Sequence, residues 1–160
     1  MIDTKDGLLL AALGAELSLK FVTAQQVIDL HDYSIEHFGG NAGVRDAAML
    51  ESAVARQLQT AVYESSDAFD VAASLAYGVC QNHAFLDGNK RSAYLAMQKF
   101  LGLNGLSLTV DPVESYNTFV GIAAGDITEP DLALWISRHT NPQSDHWQPE
   151  SRQIGPGLKP

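Results

Sequence analysis

The run His83-Ala84-Phe85-Leu86-Asp87-Gly88-Asn89-Lys90-Arg91 separates two apolar helical patterns and reads as a helix end, a short loop and a helix start. Upstream of it, Phe69, Ala72, Leu75, Ala76 and Val79 recur at i, i+3, i+4 spacing and run out at the histidine. Downstream, a new helix opens at about Asn89 and carries Ala93, Ala96, Met97, Phe100 and Leu101. The first turn of a helix leaves backbone N–H groups without intrahelical partners, and Gly88 makes them approachable, so the segment outlines an anion site. Lys90 and Arg91 add positive charge at the same point, two of only 10 Lys+Arg in the chain. Asp87 beside a phosphate is awkward unless a cation bridges them, and Mg²⁺ is the ion that joins one carboxylate to phosphate oxygens. An imidazole ordinarily titrates near neutral pH, which makes His83 the candidate base for removing a hydroxyl proton. These parts together spell transfer of a phosphoryl-type group from a nucleotide to an alcohol, a reaction that is mostly positioning and charge stabilisation. Singly, each residue has a plainer reading as a turn pair, a helix-end cap or solvated surface; their convergence on one loop favours the chemical one.

The same helical pattern extends in both directions. Thr23 is a candidate N-cap for a helix with Val27, Ile28, Leu30, Ile35 and Phe38, stopped by Gly39-Gly40 and a turn through Gly43. Asp46 caps a second helix with Met49, Leu50, Ala53, Val54 and Leu58 along one face. Residues Thr60 to Ser66 show no clear period and read as a loop or short hairpin. Asn104-Gly105 ends the helix after the motif, Leu106, Leu108 and Val110 alternate like a brief strand, and Tyr116 to Ala124 and Pro130 to His139 are helical again. From Asn141 the chain carries four of its 6 prolines and little periodicity, the pattern of a loose tail. The expected division is an N-terminal extension over 1–20, one domain over 21–140 and a flexible tail over 141–160.

The chain has 160 residues, 46% of them hydrophobic and 18% charged, which suits one globular domain and excludes a disordered or collagen-like chain. A net charge of −9 disfavours a phosphate backbone as partner, so direct nucleic-acid binding is not expected. The apolar run Leu8 to Leu13 follows Asp3, Lys5 and Asp6, a net negative lead that does not suit a secretory signal. A single cysteine, Cys80, can form neither an internal disulfide nor a Cys-rich zinc site. No membrane association and a cytoplasmic location are the expectation.

The motif His-x-Phe-x-Asp-Gly-Asn-Lys-Arg resembles the signature of the Fic/Doc family, most closely its death-on-curing toxins. Leu30-His31-Asp32, Phe38-Gly39-Gly40 through Gly43-x-Arg45-Asp46, Glu51-Ser52-Ala53, Asn104-Gly105 and Val120 to Gly125 resemble landmarks of those toxins in the same order. The likeness covers about residues 20 to 140 and implies an all-α, compact Fic-fold helical bundle with a short flap or hairpin. It further implies transfer of part of ATP onto a protein hydroxyl, with His83 as base, Asp87 on Mg²⁺, Gly88 and Asn89 in the anion hole, and Lys90 and Arg91 on phosphates. Phe85 matches the aromatic that anchors the loop in the core, and Thr60, Val62 and Tyr63 fall where the flap that docks the target would lie.

Two departures bear on the reaction. AMP-transferring members carry Gly where this chain has Lys90 and a second Arg where it has Tyr94, whereas the Doc toxins have Lys and resemble kinases that phosphorylate a threonine of elongation factor Tu. An ammonium in place of Gly fills space and moves charge, and Tyr94 removes a guanidinium fork that would grip further phosphates. Gly88, in contrast, matches the AMP-transferring members. Phosphate transfer is the expectation, with AMP transfer or a catalytically silent binding module as alternatives. The string Thr60-x-x-x-Glu64-Ser65 ends wrongly for a self-inhibitory helix, so a separate antitoxin with a disordered inhibitory segment is expected. His31, Asp32 and His37 read as helix-end or surface residues rather than a metal site, Cys80 as an inert core or boundary thiol, and Trp135 as core.

Overall fold

A computed structural model of the chain describes residues 19–63 and 66–142. Within them the chain builds α1 (Ala24–Phe38), α2 (Ala47–Ala61), α3 (Ala68–Asn82), α4 (Asn89–Leu103), β1 (Leu106–Leu108), α5 (Pro112–Ala124), α6 (Glu129–His139) and β2 (Thr140–Pro142). This is the all-α bundle expected from the periodicity. All the described helices but α4 begin where short polar side chains can satisfy the first free N–H groups. Thr23 with Gln26, Asp67 with Asp70 and Thr128 with Asp131 form reciprocal capping boxes. Asp46 accepts from the Met49 N–H, and Asp111 from those of Val113 and Glu114.

The bundle is organised around α3, whose buried residues run from Val71 to Ala76 and from Gly78 to Cys80. A helix apolar on nearly every side must be covered on every side, and α2, α4, α5 and α6 all pack against it. Leu50 and Ala53 from α2, Met97, Phe100 and Leu101 from α4, Phe119 and Ile122 from α5, and Leu132 and Ile136 from α6 complete the core. Cys80 is buried there, and loss of hydration pushes its thiol pKa up to about 11, which fits an inert core thiol. Trp135 is half-buried rather than fully enclosed, with its indole N–H donating to Glu114 Oε2 at 3.0 Å.

Three expectations need correction. No hairpin forms around Thr60: α2 continues to Ala61, and Val62 caps it with its N–H on the Leu58 carbonyl. The period was hidden because the buried stripe is Leu50, Ala53, Gln57 and Ala61, with a polar residue in the third place, while Met49 is exposed. The Gln57 amide accepts from the Val22 N–H at 2.9 Å and donates to the Val22 carbonyl at 2.8 Å, so it pairs like a strand residue inside the core. Helix α5 begins at Pro112, a turn before Tyr116, because Asp111 caps it and proline suits the first turn. Finally, the strand-like piece after α4 does form, but its partner lies past α6: Leu106, Ser107 and Leu108 pair antiparallel with Pro142, Asn141 and Thr140. The proposed tail thus contributes two residues to the sheet. The Leu8–Leu13 run, Trp147 and the rest of the tail lie outside the described residues, as do residues 64 and 65.

Replacing Gln57 with Leu should leave a buried donor and a buried acceptor of Val22 unpaired, at about 1–3 kcal/mol each. Urea denaturation should show a lower midpoint with little change in slope. An unchanged midpoint would mean that the Val22 backbone finds other partners.

Candidate functional site: the loop between α3 and α4

The loop leaves α3 through His83, which has φ 51° and ψ 46° and is the one non-glycine at positive φ among the described residues. That left-handed conformation turns the chain sharply away from the helix axis. Its carbonyl accepts from Arg45, whose Nε lies 2.8 Å away and whose Nη2 also reaches it. Backbone bonds continue the attachment. The Arg45 and Asp46 N–H groups donate to the Ala84 carbonyl at 2.7 and 3.0 Å, Val44 bridges Phe85, and the Leu86 N–H meets the Gly43 carbonyl at 3.1 Å. The turn between α1 and α2 therefore holds the loop along its length. His83 itself is exposed, and its imidazole makes no hydrogen bond among the described residues.

Phe85 is 1% exposed and anchors the loop in the core, as expected. Two further residues fix it. Asn89 accepts from the Phe85 N–H and donates to its carbonyl, both at 3.0 Å, so its side chain braces the loop. The backbone N–H of Asn89 has no partner among the described residues. His31, read as a helix-end or surface residue, is in fact 1% exposed and stacks on the Phe85 ring at 3.9 Å and 6°. Its Nε2 donates to the Asp87 carbonyl at 2.7 Å. The signal for this was weak, because the partner lies 56 residues further along the chain.

The Asp87 carboxylate is exposed but oriented. Oδ2 accepts from the Asn41 N–H at 3.1 Å and Oδ1 from the Gly88 N–H at 2.8 Å. These two bonds, with smaller help from the Arg91 and His31 charges, hold its pKa below the ordinary carboxylate value. Gly40 permits the approach, since a Cβ there would lie 2.8 Å from Asp87 Oδ2 and 3.1 Å from Arg91 Nη2. Arg91 Nη2 donates to the Gly39 carbonyl at 2.8 Å, which ties one of its five donors to the turn. Among the described residues no group of three or more His, Cys, Asp and Glu could hold a metal by itself. Asp87 nevertheless suits Mg²⁺, an ion bound through one or two carboxylates with water and phosphate oxygens completing its octahedron.

Helix α4 has Gly88 as N-cap, at φ 74°, with no side-chain cap, in contrast to the capped starts of the other helices described. Its first-turn N–H groups therefore face outward unpaired, with the positive end of a 15-residue helix behind them. They open on a cavity of about 690 Å³ whose wall includes Asp87–Arg91 together with Phe38, Tyr94, Tyr116 and Phe119. The structure thus gathers Asp87, Gly88, Asn89, Lys90 and Arg91 at one cavity. His83 and Phe85 are not part of that wall. Thr60 and Tyr63 line a different cavity of about 590 Å³ with Arg56, Asp70 and Glu129, and Val62 lines neither. Desolvation is the first cause that raises the Asp70 carboxyl pKa there, offset in part by its hydrogen bond with the Asp67 backbone.

A carboxylate with a lowered folded pKa stabilises the fold at pH values above the ordinary carboxylate range, and that contribution is lost as the pH falls through the folded pKa. Asp87→Asn should therefore be less stable than the parent at neutral pH, with the gap closing in acid. Thermal melts between pH 7 and pH 3 measure this; a gap that widens in acid would contradict the orientation assigned to Asp87.

Known proteins resemble this chain in sequence. The Fic/DOC family model matches residues 21–101, about half of the chain, and includes the whole loop. The chain is 32% identical over 121 residues to the protein kinase doc of Escherichia phage P1, an alignment covering 75% of this chain and 95% of that protein. It is 46% identical over 78 residues to the toxin Doc of Mycolicibacterium smegmatis, covering 46% of this chain and 58% of that protein. On the family match and on the near-complete alignment with the phage protein, the chain belongs to the Fic/DOC family.

Proposed function

We propose that this chain is a Doc-like toxin, an enzyme that transfers phosphate from ATP to a Ser or Thr hydroxyl of a target protein, with elongation factor Tu as the target and arrest of translation as the result. The observation that carries this reading is the uncapped start of α4 facing the same cavity as the oriented Asp87 carboxylate and Lys90. Anion-binding N–H groups next to an ionised carboxylate have opposite preferences, and a phosphate with its cation satisfies both. The names of the two relatives, a kinase and a toxin, support the same reading. Among the described residues no helix is long and apolar enough to cross a membrane; action in the cytoplasm is part of the proposal.

The proposed roles are these. The N–H groups of Asn89, Lys90 and Arg91 take phosphate oxygens, and the Lys90 ammonium neutralises charge that develops as the terminal phosphoryl group leaves. Asp87 would hold Mg²⁺, and the ion would supply charge neutralisation to the phosphates. His83 accepts the proton of the attacking hydroxyl, its oxygen bonds to the terminal phosphorus, and ADP departs. The αL geometry and the Arg45 grip on the His83 carbonyl leave this imidazole exposed to an incoming chain. Tyr94 occupies the position of the second phosphate-gripping Arg and packs edge-on against Phe119 at 5.5 Å, in the cavity wall. A separate antitoxin keeps the enzyme silent by closing the site with a segment that folds on binding. Gly88 favours a second reading, AMP transfer, because it is the residue of the AMP-transferring members.

Incubation with a bacterial lysate and ATP labelled at either the α- or the γ-phosphate separates the two. Label should pass to protein from the γ-position; transfer from the α-position only would establish AMP transfer instead. His83→Ala should lower the rate by about 10²–10⁴-fold, the usual contribution of a general base. It should also relieve growth arrest on expression. Arrest as strong as the parent's would mean that the protein acts by binding and not by chemistry.

A further inference from the structure

We propose that His31 is a positioning residue for this site: its Nε2–H holds the Asp87 carbonyl and thereby sets the Asp87–Gly88 peptide and the carboxylate attached to it. The inference rests on the reading of the loop as a Mg²⁺–nucleotide site. His31 is a buried titratable side chain to which the chemistry above gives no role, and its polar contacts are few. Nε2 lies 2.7 Å from the Asp87 carbonyl oxygen. A carbonyl only accepts, so Nε2 carries the proton. Nδ1 lies 3.8 Å from Asp32 Oδ1, beyond hydrogen-bond distance. The one strong polar bond of the ring thus goes to the loop.

Peptide geometry makes that bond consequential. In a trans peptide the C=O and N–H point in opposite directions, and the described residues contain no cis bond. With the Asp87 carbonyl turned onto α1, the Gly88 N–H is turned away from α1, where it meets Asp87 Oδ1 at 2.8 Å. Gly88, at φ 74°, is the residue type that tolerates the rotated peptide as readily as the observed one. Local preference therefore does not select the orientation, and a donor from outside the loop must. Without that donor the peptide is free to rotate. Asp87 then loses one of the two N–H bonds that aim its carboxylate. A packing role alone would need only the flat ring stacked on Phe85.

Two substitutions separate these roles. His31→Gln keeps an N–H donor at similar reach, whereas His31→Phe keeps the stack and removes the donor. ATP affinity is measured by calorimetry on the whole chain with and without Mg²⁺, and the Gly88 amide is followed by NMR hydrogen exchange. The Gln variant should retain Mg²⁺-dependent affinity near that of the parent. The Phe variant should lose about 10-fold or more, the range found when a residue supporting a metal ligand is removed, and its Gly88 amide should exchange faster. A Phe variant that matches the parent in both readouts overturns the proposal, as does equal loss in both variants. Should the parent bind no ATP, the nucleotide reading fails, and Gly88 exchange in the two variants alone decides the role of His31. If the Phe variant does not fold, His31→Asn, whose amide is too short to reach the carbonyl, takes its place.

Discussion

The backbone pairing between Gly43–Asp46 and His83–Leu86 is the constraint on which the site depends. A loop of this kind would ordinarily sample many conformations, each residue held in one at a cost of about 1–2 kcal/mol in backbone entropy. Here the bonds from Arg45 and Asp46 to Ala84, from Leu86 to Gly43 and from Arg45 to His83 meet that cost with a partner strand of only a few residues. Phe85 adds a core anchor between them. The loop is therefore a rigid extension of the bundle, and its polar groups are fixed before any ligand arrives, which is what electrostatic stabilisation of a transferring group requires.

Rigidity of the backbone is matched by a division of labour among the side chains. Asn89, His31 and Phe85 face inward and fix the loop, while Asp87, Lys90 and the free N–H groups of α4 face outward. A negative carboxylate within a positive setting is stable here because two backbone N–H groups and a guanidinium surround it. A phosphate and a cation could then bind as a neutralising pair, and an isolated phosphate would meet Asp87 as a repulsive neighbour.

Much of this was legible in the sequence. The helices follow from apolar spacing, two of their starts from Thr23 and Asp46, and the loop from the nine residues beginning at His83. What escaped was polar and long-range. Gln57 sits in a core stripe that hydropathy cannot detect, because its worth depends on the Val22 backbone 35 residues away. His31 looked like a surface residue until Asp87 and Phe85 were brought against it. The bracing of Phe85 by the Asn89 amide is a further contact that local propensity does not record. The pairing of β1 with β2 joins segments separated by two helices, and neither strand alone announces its partner.

The dependence of the loop on the α1–α2 turn also couples the onset of chemistry to tertiary assembly. A nascent chain that has emerged through α4 but has not docked residues 39–46 holds the whole motif without a working arrangement of it. Fraying at that turn in the finished protein disarms the loop while the α3 core is still intact. An arrangement wired in this way is withheld from incomplete products, since the tethering segment and the tethered one have to meet before the loop takes its shape.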